Sequence, residues 1–155
     1  MKTQNTLVNT TLCYIEKDGC YLMLHRTKKE HNYNKDKWIG IGGKFENGES
    51  PEDCAVREIR EETGLEIRDL KACGYIHWNH ANGDKYFTYF YKTTSFSGRL
   101  IDETDEGPVF WVKPEELKTL QLAPNMDRYL QMFSGKYSEC YCLEENGGWN
   151  MKYFE

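Results

Sequence analysis

Runs of apolar residues separated by polar segments predict that the first quarter of the chain is extended. Leu7 to Ile15 and Tyr21 to Arg26 are rich in β-branched, aromatic and aliphatic side chains, and Lys17-Asp18-Gly19 between them is typical of a hairpin turn. These segments predict two antiparallel strands. The polar stretch from Thr27 to Lys37 has no apolar periodicity and predicts a surface loop, after which Trp38 to Gly43 alternates apolar residues with glycine.

Start and stop signals agree on one helix over Pro51 to Thr63. Ser50 is a suitable N-cap, and Pro51 fits the first turn. Asp53 completes a capping box, and Gly64 follows the last turn. A helix is therefore predicted here, with one buried apolar stripe. That stripe contains Ala55, Val56 and Ile59.

The rest of the pattern predicts more strands and two short helices. We expect a single domain over residues 1–155 with an α+β fold and a mixed β-sheet. The further strands are Ala72 to Trp78, Tyr86 to Thr94 and Val109 to Val112; the helices are Pro114 to Leu120 and Met126 to Phe133; a hairpin joins Lys136 to Leu143 with Trp149 to Phe154.

Composition narrows the class of protein. The 155 residues are 39% hydrophobic, 14% aromatic and 29% charged, which is typical of a packed globular domain and leaves no apolar stretch that could span a bilayer. Met1 to Thr11 is too polar for a signal peptide, so we expect a cytoplasmic protein. Six cysteines without a CxxC pair or zinc spacing predict core thiols of a reduced chain.

The net charge is concentrated in one segment. The chain carries −5, which argues against non-specific nucleic-acid binding by the whole surface. Seven acids and three bases between residues 43 and 65 give −4 of this charge. Glu58, Glu61 and Glu62 project from adjacent turns of one helical face and repel one another. Either they form a solvated face with Arg57 as ion-pair partner, or they bind a hard cation such as Mg2+ that bridges to substrate phosphates.

Glycines stand directly before this helix. Gly40, Gly42 and Gly43 allow the backbone to pass close to a ligand, and a glycine loop that leads into a helix is a shape that admits phosphate or metal. The glycines and the carboxylates about fifteen residues further on together indicate a phosphate or metal site.

Residues 43 to 65 also follow a fixed motif. The run Gly43-(5)-Glu49-(7)-Arg57-Glu58-Ile59-Arg60-Glu61-Glu62-Thr63-Gly64-Leu65 fits every position of the Nudix box, G-x5-E-x7-R-E-U-x-E-E-x-G-U, where U is aliphatic. The chain therefore resembles the Nudix hydrolases. Trp38 to Lys44 and the order of elements through the terminal hairpin are similar to the MutT-type and oxidised-purine triphosphatases of that family.

The resemblance implies an α/β/α sandwich with a mixed sheet. It also implies cleavage of a nucleoside diphosphate linked to another group, with Mg2+ or Mn2+ as cofactor. One helix glutamate would orient or deprotonate the attacking water, while Glu49 and Arg57 would shape the loop and helix. The metal ligands carried over by position are Glu58, Glu61 and Glu62, which are also the catalytic residues, and the carbonyl of Gly43.

Further site residues are implied outside the box. In MutT-like enzymes an acid in the loop before the strand that here begins at Val109 approaches the metal. Glu106 is the best positional match for it, and Glu103 is the second. The alternative is that the whole acidic run is an ordinary solvated loop; the run contains Asp102, Glu103, Asp105 and Glu106. Arg26 resembles a phosphate-contacting position, and Lys44 would reach phosphate from the glycine loop. The alternative for both is an ordinary surface base.

The base-binding positions depart from the oxidised-purine enzymes. Their tryptophan is followed by an asparagine that reads the purine, whereas here Ile39 follows Trp38. Their late pair of aspartates is replaced by Leu122 to Asn125, in which Asn125 would bond the base. Four aromatic residues either stack on the base or pack in the core; they are Trp78, Phe87, Tyr89 and Trp111. His77 and His80 are candidate polar contacts.

The resemblance leaves several functions open. Hydrolysis of an ordinary or oxidised nucleoside triphosphate to monophosphate and pyrophosphate is the leading one. Hydrolysis of ADP-ribose or a nucleotide sugar is a second, and a non-catalytic nucleotide-sensing module is a third. Each implies a small nucleotide as partner, without stable nucleic-acid binding or membrane attachment.

Overall fold

The computed structural model describes residues 6–28, 36–101 and 103–155. Most of the predicted loop between Thr27 and Lys37, and Asp102 of the second acidic run, lie outside the described residues. The strands are β1 (Leu7–Lys17), β2 (Cys20–His25), β3 (Trp38–Ile39), β4 (Ile41–Lys44), β5 (Leu65–Arg68), β6 (Lys71–Asn79), β7 (Lys85–Thr93), β8 (Ser95–Gly98), β9 (Val109–Val112), β10 (Glu139–Glu145) and β11 (Gly148–Phe154). The α-helices are α1 (Pro51–Thr63) and α2 (Met126–Tyr129).

One large mixed sheet organises the chain, as predicted. Its order is β11-β10-β6-β7-β1-β2-β3, with β4 also paired to β1 and β9 to β2. The β1–β7 and β10–β6 pairs are parallel, and the remaining pairs of this sheet are antiparallel. Strand β1 therefore lies at the centre, because it pairs with β7 on one side and with β2 and β4 on the other.

Helical segments cover both faces of the sheet and produce two hydrophobic cores. The helix α1 packs its buried Ala55 and Ile59 against Cys13 and Ile41 of the central strands. On the opposite face, α2 and the 3-10 turn that follows it pack against β6 and β7. The buried contacts there include Met126, Tyr129, Met132, Phe133, Ile76 and Phe90. This layering confirms the predicted α+β sandwich.

The predicted caps of α1 are confirmed. The Ser50 hydroxyl accepts a hydrogen bond from the backbone N–H of Asp53 at 3.1 Å. At the other end Gly64 is left-handed, with φ of 80°, and its N–H donates to the carbonyl of Arg60 at 3.0 Å. Glycine tolerates this conformation without a Cβ clash, so the helix stops where the sequence indicates.

Several elements differ from the sequence predictions. Strands β5 and β8 were not predicted; each has four residues, and they pair only with each other, so their apolar pattern is too short to stand out. The predicted helix from Pro114 is a 3-10 helix, Pro114–Thr119, and the predicted helix over 126–133 is α2 continued by a 3-10 helix, Leu130–Ser134.

All six cysteines are free thiols, and all except the half-buried Cys20 are buried. Among the described residues no helix is long and apolar enough to cross a membrane.

Candidate active site

The loop between β4 and α1 is closed by one arginine. Arg57 donates from Nε and Nη2 to the two carboxylate oxygens of Glu49, at 2.7 and 2.9 Å. Its Nη2 also donates to the carbonyl of Lys44 at 3.0 Å, and the N–H of Glu46 donates to Glu49 at 3.0 Å. These hydrogen bonds, led by the arginine, lower the pKa of Glu49 to about 2. Glu49 and Arg57 thus stand where a loop-shaping role requires them.

The same arginine reaches two glutamates of the helix. Arg57 Nη1 donates to Glu58 Oε1 at 3.0 Å and to Glu61 Oε2 at 3.1 Å. The two acceptors differ in exposure, because the Glu58 side chain is 14% exposed and that of Glu61 is 55% exposed. Burial raises the pKa of Glu58 in spite of Arg57, and the charges of Glu61 and Glu106 raise it further. Glu58 therefore lies in a partly desolvated, acid-rich position that a cation would relieve.

Gly43 is required by the close approach of this glutamate. A Cβ atom at position 43 would lie 2.5 Å from the Glu58 carboxylate, so any side chain there would displace it. The Gly43 carbonyl is on the same short loop and accepts a long hydrogen bond of 3.7 Å from the Cys54 thiol. The predicted pair of Gly43 and Glu58 is thus brought together, with oxygen atoms on both residues.

The second acidic run contributes Glu106 but not Glu103. Glu106 accepts from Arg26 Nη2 at 3.3 Å, and its backbone N–H is held by the Thr104 hydroxyl at 3.0 Å. Both Arg26 and Glu106 line the same pocket as the helix glutamates. Glu103 instead forms an exposed ion pair with Lys28 at 3.2 Å, outside the pocket lining. Glu106, the better positional match, therefore lies in the candidate site, whereas Glu103 lies outside it.

An open cavity of about 860 Å3 connects these groups. Its acidic end presents carboxylate and carbonyl oxygens, the hard donors that Mg2+ or Mn2+ takes, so the residues fit a divalent cation. Among the described residues, no three His, Cys, Asp or Glu side chains lie close enough together to bind a metal ion. Arg57 instead holds the carboxylates of Glu58 and Glu61 by hydrogen bonds. Glu61 does not line the cavity. The acidic end is lined by Gly43, Lys44, Glu58, Glu62, Glu106 and Arg26.

Aromatic side chains form the other end of the cavity. Trp149 of β11 stands edge-on to Trp78 at 5.2 Å and to His80 at 5.0 Å between ring centroids. His80 also meets Tyr86 at 5.1 Å, and Tyr129 of α2 meets Trp78 at 6.3 Å. The hairpin is fixed because Arg128 Nη2 donates to the Trp149 carbonyl at 2.8 Å. We call the five ring-bearing residues of this group the aromatic end; they are Trp78, His80, Tyr86, Tyr129 and Trp149.

The floor of the aromatic end satisfies its own polar groups. Trp78 Nε1 donates to the Thr88 hydroxyl at 3.0 Å, which lies 3.0 Å from the Thr10 hydroxyl. Thr10 in turn donates to the carbonyl of Phe87 at 2.9 Å. This relay leaves no spare donor on the floor for a ligand, so a planar group would be held there by stacking and shape.

Two of the predicted base-binding residues line the cavity and one does not. Ile39 and Asn125 line the cavity, and Asn125 is held there with φ of 65° at the start of α2. Trp38 does not line it; its ring stacks on His25 at 4.4 Å. The backbone of Trp38 nevertheless binds the segment before Asn125, with hydrogen bonds of 2.8 Å to Gln121 and 2.9 Å from Ala123. The structure therefore places Trp38 outside the cavity lining, while its backbone holds the segment that precedes Asn125.

The candidates for stacking and polar contact lie in different parts of the sheet. Trp78 and His80 line the cavity, whereas Phe87, Tyr89 and His77 do not. Alternation along β6 and β7 explains this, because Thr88 and Phe90 line the cavity and their neighbours point to the opposite face. Trp111 packs on Phe96 instead, at 5.7 Å. Tyr129 and Trp149 were not predicted; the strand pattern around Trp149 was visible, but its pairing with Trp78 depends on the order of strands.

Comparison with known proteins agrees with this geometry. The sequence model of the NUDIX domain matches residues 6–133. The chain belongs to the Nudix family. The matched segment contains the acidic end and most of the aromatic end, but it stops before β10, so Trp149 lies beyond it. As a Nudix hydrolase the protein belongs to a family that acts on substrates containing a nucleoside diphosphate.

Individual relatives are moderately similar to this Nudix hydrolase. An uncharacterised Nudix hydrolase of Bacillus subtilis, YvcI, is 29% identical over 76% of this chain and 73% of its own. The CTP pyrophosphohydrolase of Escherichia coli is 29% identical over 76% and 84%, and the mouse oxidized purine nucleoside triphosphate hydrolase is 24% identical over 72% of each chain. A MutT protein from Bacillus halodurans has the same fold, with a TM-score of 0.74 and 21% identity over 93% of this chain and 97% of that one.

Proposed function

We propose that the protein is a divalent-metal-dependent pyrophosphohydrolase that cleaves a nucleoside triphosphate to a monophosphate and pyrophosphate. One observation carries this proposal. A single cavity of about 860 Å3 joins an acidic end, with the cations Arg26 and Lys44 on its wall, to an end lined by aromatic rings. A nucleotide has the same two parts, phosphates that need cations and a base that stacks.

The acidic end divides the chemical work among its residues. Glu58, Glu62, Glu106 and the Gly43 carbonyl, which line this end, would hold Mg2+, or Mn2+ in its place, together with Glu61 of the same helix. The bound ion would neutralise phosphate charge and acidify a water molecule. Arg26 and Lys44 would orient the phosphates, since both line this end of the cavity. A helix glutamate would accept the proton of the attacking water.

The aromatic end would hold the base by stacking, and polar side chains on its wall would distinguish one base from another. The floor hydroxyls bond one another, so the polar side chains on the rest of the wall would meet the edge of a base; they include Asn125, His80, Tyr86, Tyr129 and Trp149. Ile39 lines the cavity where the oxidised-purine enzymes have an amide. The relatives named above act on different triphosphates, a pyrimidine in one case and oxidised purines in another. We therefore infer that the protein hydrolyses nucleoside triphosphates but does not recognise 8-oxo-guanine through an asparagine amide at this position.

A product-resolved assay tests this function. Purified protein with Mg2+ is incubated with ordinary and oxidised nucleoside triphosphates, ADP-ribose, nucleotide sugars and dinucleoside polyphosphates, and pyrophosphate and phosphate are measured separately. Pyrophosphate from one group of triphosphates, abolished by chelator, is the expected result. Hydrolysis of ADP-ribose or a nucleotide sugar alone would overturn the substrate. Tight nucleotide binding without turnover would instead favour a sensing module.

A further inference from the structure

The strand that carries Trp149 into the cavity is the outer strand of the large sheet. Among the described strands, β11 pairs with β10 alone. Its side chains alternate, so that Trp149, Met151 and Tyr153 are half-buried while the residues between them are exposed. Because backbone pairing holds β11 along one edge, side-chain contacts must set its distance from α2. The place of the Trp149 ring in the cavity therefore depends on those contacts.

One residue of α2 contacts all three of these inward positions. Arg128 Nη2 donates to the Trp149 carbonyl at 2.8 Å, and Arg128 Nε donates to the Met151 sulfur at 3.0 Å. The carbonyl of Arg128 accepts from the Tyr153 hydroxyl at 3.0 Å. The N–H groups of a guanidinium point in fixed directions in one plane, so a single arginine can hold two neighbouring acceptors at once. Arg128 thus fixes β11 against α2.

The same residue also holds another part of the cavity wall. The backbone N–H groups of Arg128 and Tyr129 donate to the carbonyl of Asn125, at 3.0 and 2.9 Å. Asn125 has a φ of 65°, a left-handed conformation that persists only where neighbouring contacts hold it. We call this set of contacts the Arg128 bridge; it joins Arg128 to Asn125, Trp149, Met151 and Tyr153.

The bridge lies behind the wall and joins two residues that face the substrate. Asn125 and Trp149 line the cavity, whereas Arg128 does not. A base that stacks on a ring meets a polar group at its edge only if the ring and the polar group are held at the right separation. We propose that Arg128 is a positioning residue that sets the base preference of the enzyme by fixing Trp149 relative to Asn125. This proposal rests on the proposed function and deepens it.

The bridge ties the matched family domain to the segment that follows it. The NUDIX model ends at residue 133, so Arg128 and Asn125 lie inside the matched part and Trp149 lies outside it. The carboxylates of the acidic end belong to other elements, α1 and the loop before β9. A change at Arg128 should therefore alter the affinity for a nucleotide and the ranking of bases, and leave the rate of chemistry nearly unchanged.

Competition kinetics with pairs of nucleoside triphosphates test the proposal. Arg128→Met keeps an unbranched side chain and removes its donors, so KM should rise about threefold or more and the preference between the best and the poorest base should shrink by about the same factor. The value of kcat should change by less than about twofold. Arg128→Lys restores the charge but not the planar pair of donors, so it should give an intermediate result. Arg68→Met, at an exposed arginine of β5, is the matched control and should change nothing.

A double-mutant cycle separates positioning from a general effect on the fold. Trp149→Ala removes the ring but keeps the carbonyl that Arg128 binds. If Arg128 acts through the ring, Arg128→Met should change the base ranking by less than about 1.5-fold further in the Trp149→Ala background. Additive changes in the ranking would overturn the proposal. A fall in kcat that is equal for all bases, with an unchanged ranking, would also overturn it, because Arg128 would then have a structural role alone.

A binding measurement without turnover separates this proposal from the proposed function. The indole N–H resonance of Trp149 can be assigned by its loss in the spectrum of Trp149→Ala. It should shift when a nucleoside monophosphate is added, and Arg128→Met should need about threefold more nucleotide for half of the shift. Equal titrations of wild type and Arg128→Met, or no shift in the wild type, would overturn the positioning role. A wild type that shows the shift but hydrolyses no triphosphate would overturn the proposed function instead.

Discussion

The two ends of the cavity are built in opposite ways. The acidic end comes largely from one short stretch, because Gly43, Lys44, Glu58 and Glu62 all lie between residues 43 and 62, and Arg57 in the same stretch binds Glu58. The aromatic end assembles five rings from β6, the turn after it, β7, α2 and β11. A contiguous stretch fixes distances by local backbone geometry, whereas scattered rings depend on strand order. We therefore expect changes at the acidic end to alter the rate of chemistry, and changes at the aromatic end to alter substrate affinity and base preference.

The largest effect should come from a helix glutamate. Glu62→Gln keeps the size of a cavity-lining side chain but removes its charge, so kcat should fall by at least about 100-fold while the fold remains intact. Glu61→Gln is expected to do the same. Steady-state kinetics and circular dichroism measure both. Glu52→Gln, an exposed acid of the same helix, is the matched control. Unchanged kcat in both Glu61 and Glu62 variants would remove the assigned catalytic site.

A smaller effect should follow from crowding Glu58. Gly43→Ala places a methyl group 2.5 Å from the Glu58 carboxylate, the mobile end of a side chain, so the carboxylate moves while the fold persists. We expect kcat to fall about tenfold or more, with unchanged base preference, because a small misplacement of a catalytic group is costly. Gly148→Ala, where a Cβ meets nothing within 4 Å, should have no effect. A shift in base preference in Gly43→Ala would contradict the division between the two ends.

The aromatic end should respond in the complementary way. Trp149→Ala removes the ring that contacts Trp78 and His80, so KM should rise about fivefold or more and the ranking of bases should change. The value of kcat should change much less. Competition kinetics with pairs of triphosphates measure this, with Phe110→Ala as control. A fall in kcat with constant KM and ranking would place Trp149 in the chemistry instead.

The smallest effect concerns stability and pH. The hydrogen bonds from Arg57 lower the pKa of folded Glu49 to about 2, below its usual range, so the ionised carboxylate stabilises the folded state at neutral pH. That contribution should be lost as the pH falls from about 4.5 toward about 2. Urea unfolding of the wild type and Glu49→Gln across this range should give curves that differ at neutral pH and converge in acid. A constant difference at all pH values would mean that the carboxylate charge is not what stabilises the loop.

Local signals predicted the acidic end well and the aromatic end poorly. The caps of α1 and the positions of Glu58 and Glu62 follow from neighbouring residues, since one helix sets their spacing. Trp149 joins Trp78 only because β10 inserts beside β6 and β11 follows it, and this order cannot be read from the hairpin itself. The alternation of β7 was predictable, but which face would meet the cavity was not, so the sequence could not separate Phe87 and Tyr89, which lie on the opposite face, from Thr88 and Phe90, which line the cavity.

Strand β1 gives the molecule a particular order of assembly during synthesis. It pairs in parallel with β7, about eighty residues later in the chain, and Thr10 on it shares the cavity with Trp149. A nascent chain has no complete binding cavity until both β1 and the β10–β11 hairpin have emerged. A chain interrupted before that hairpin would therefore carry the glutamates of α1 without Trp149, which forms part of the wall that the proposed substrate would contact.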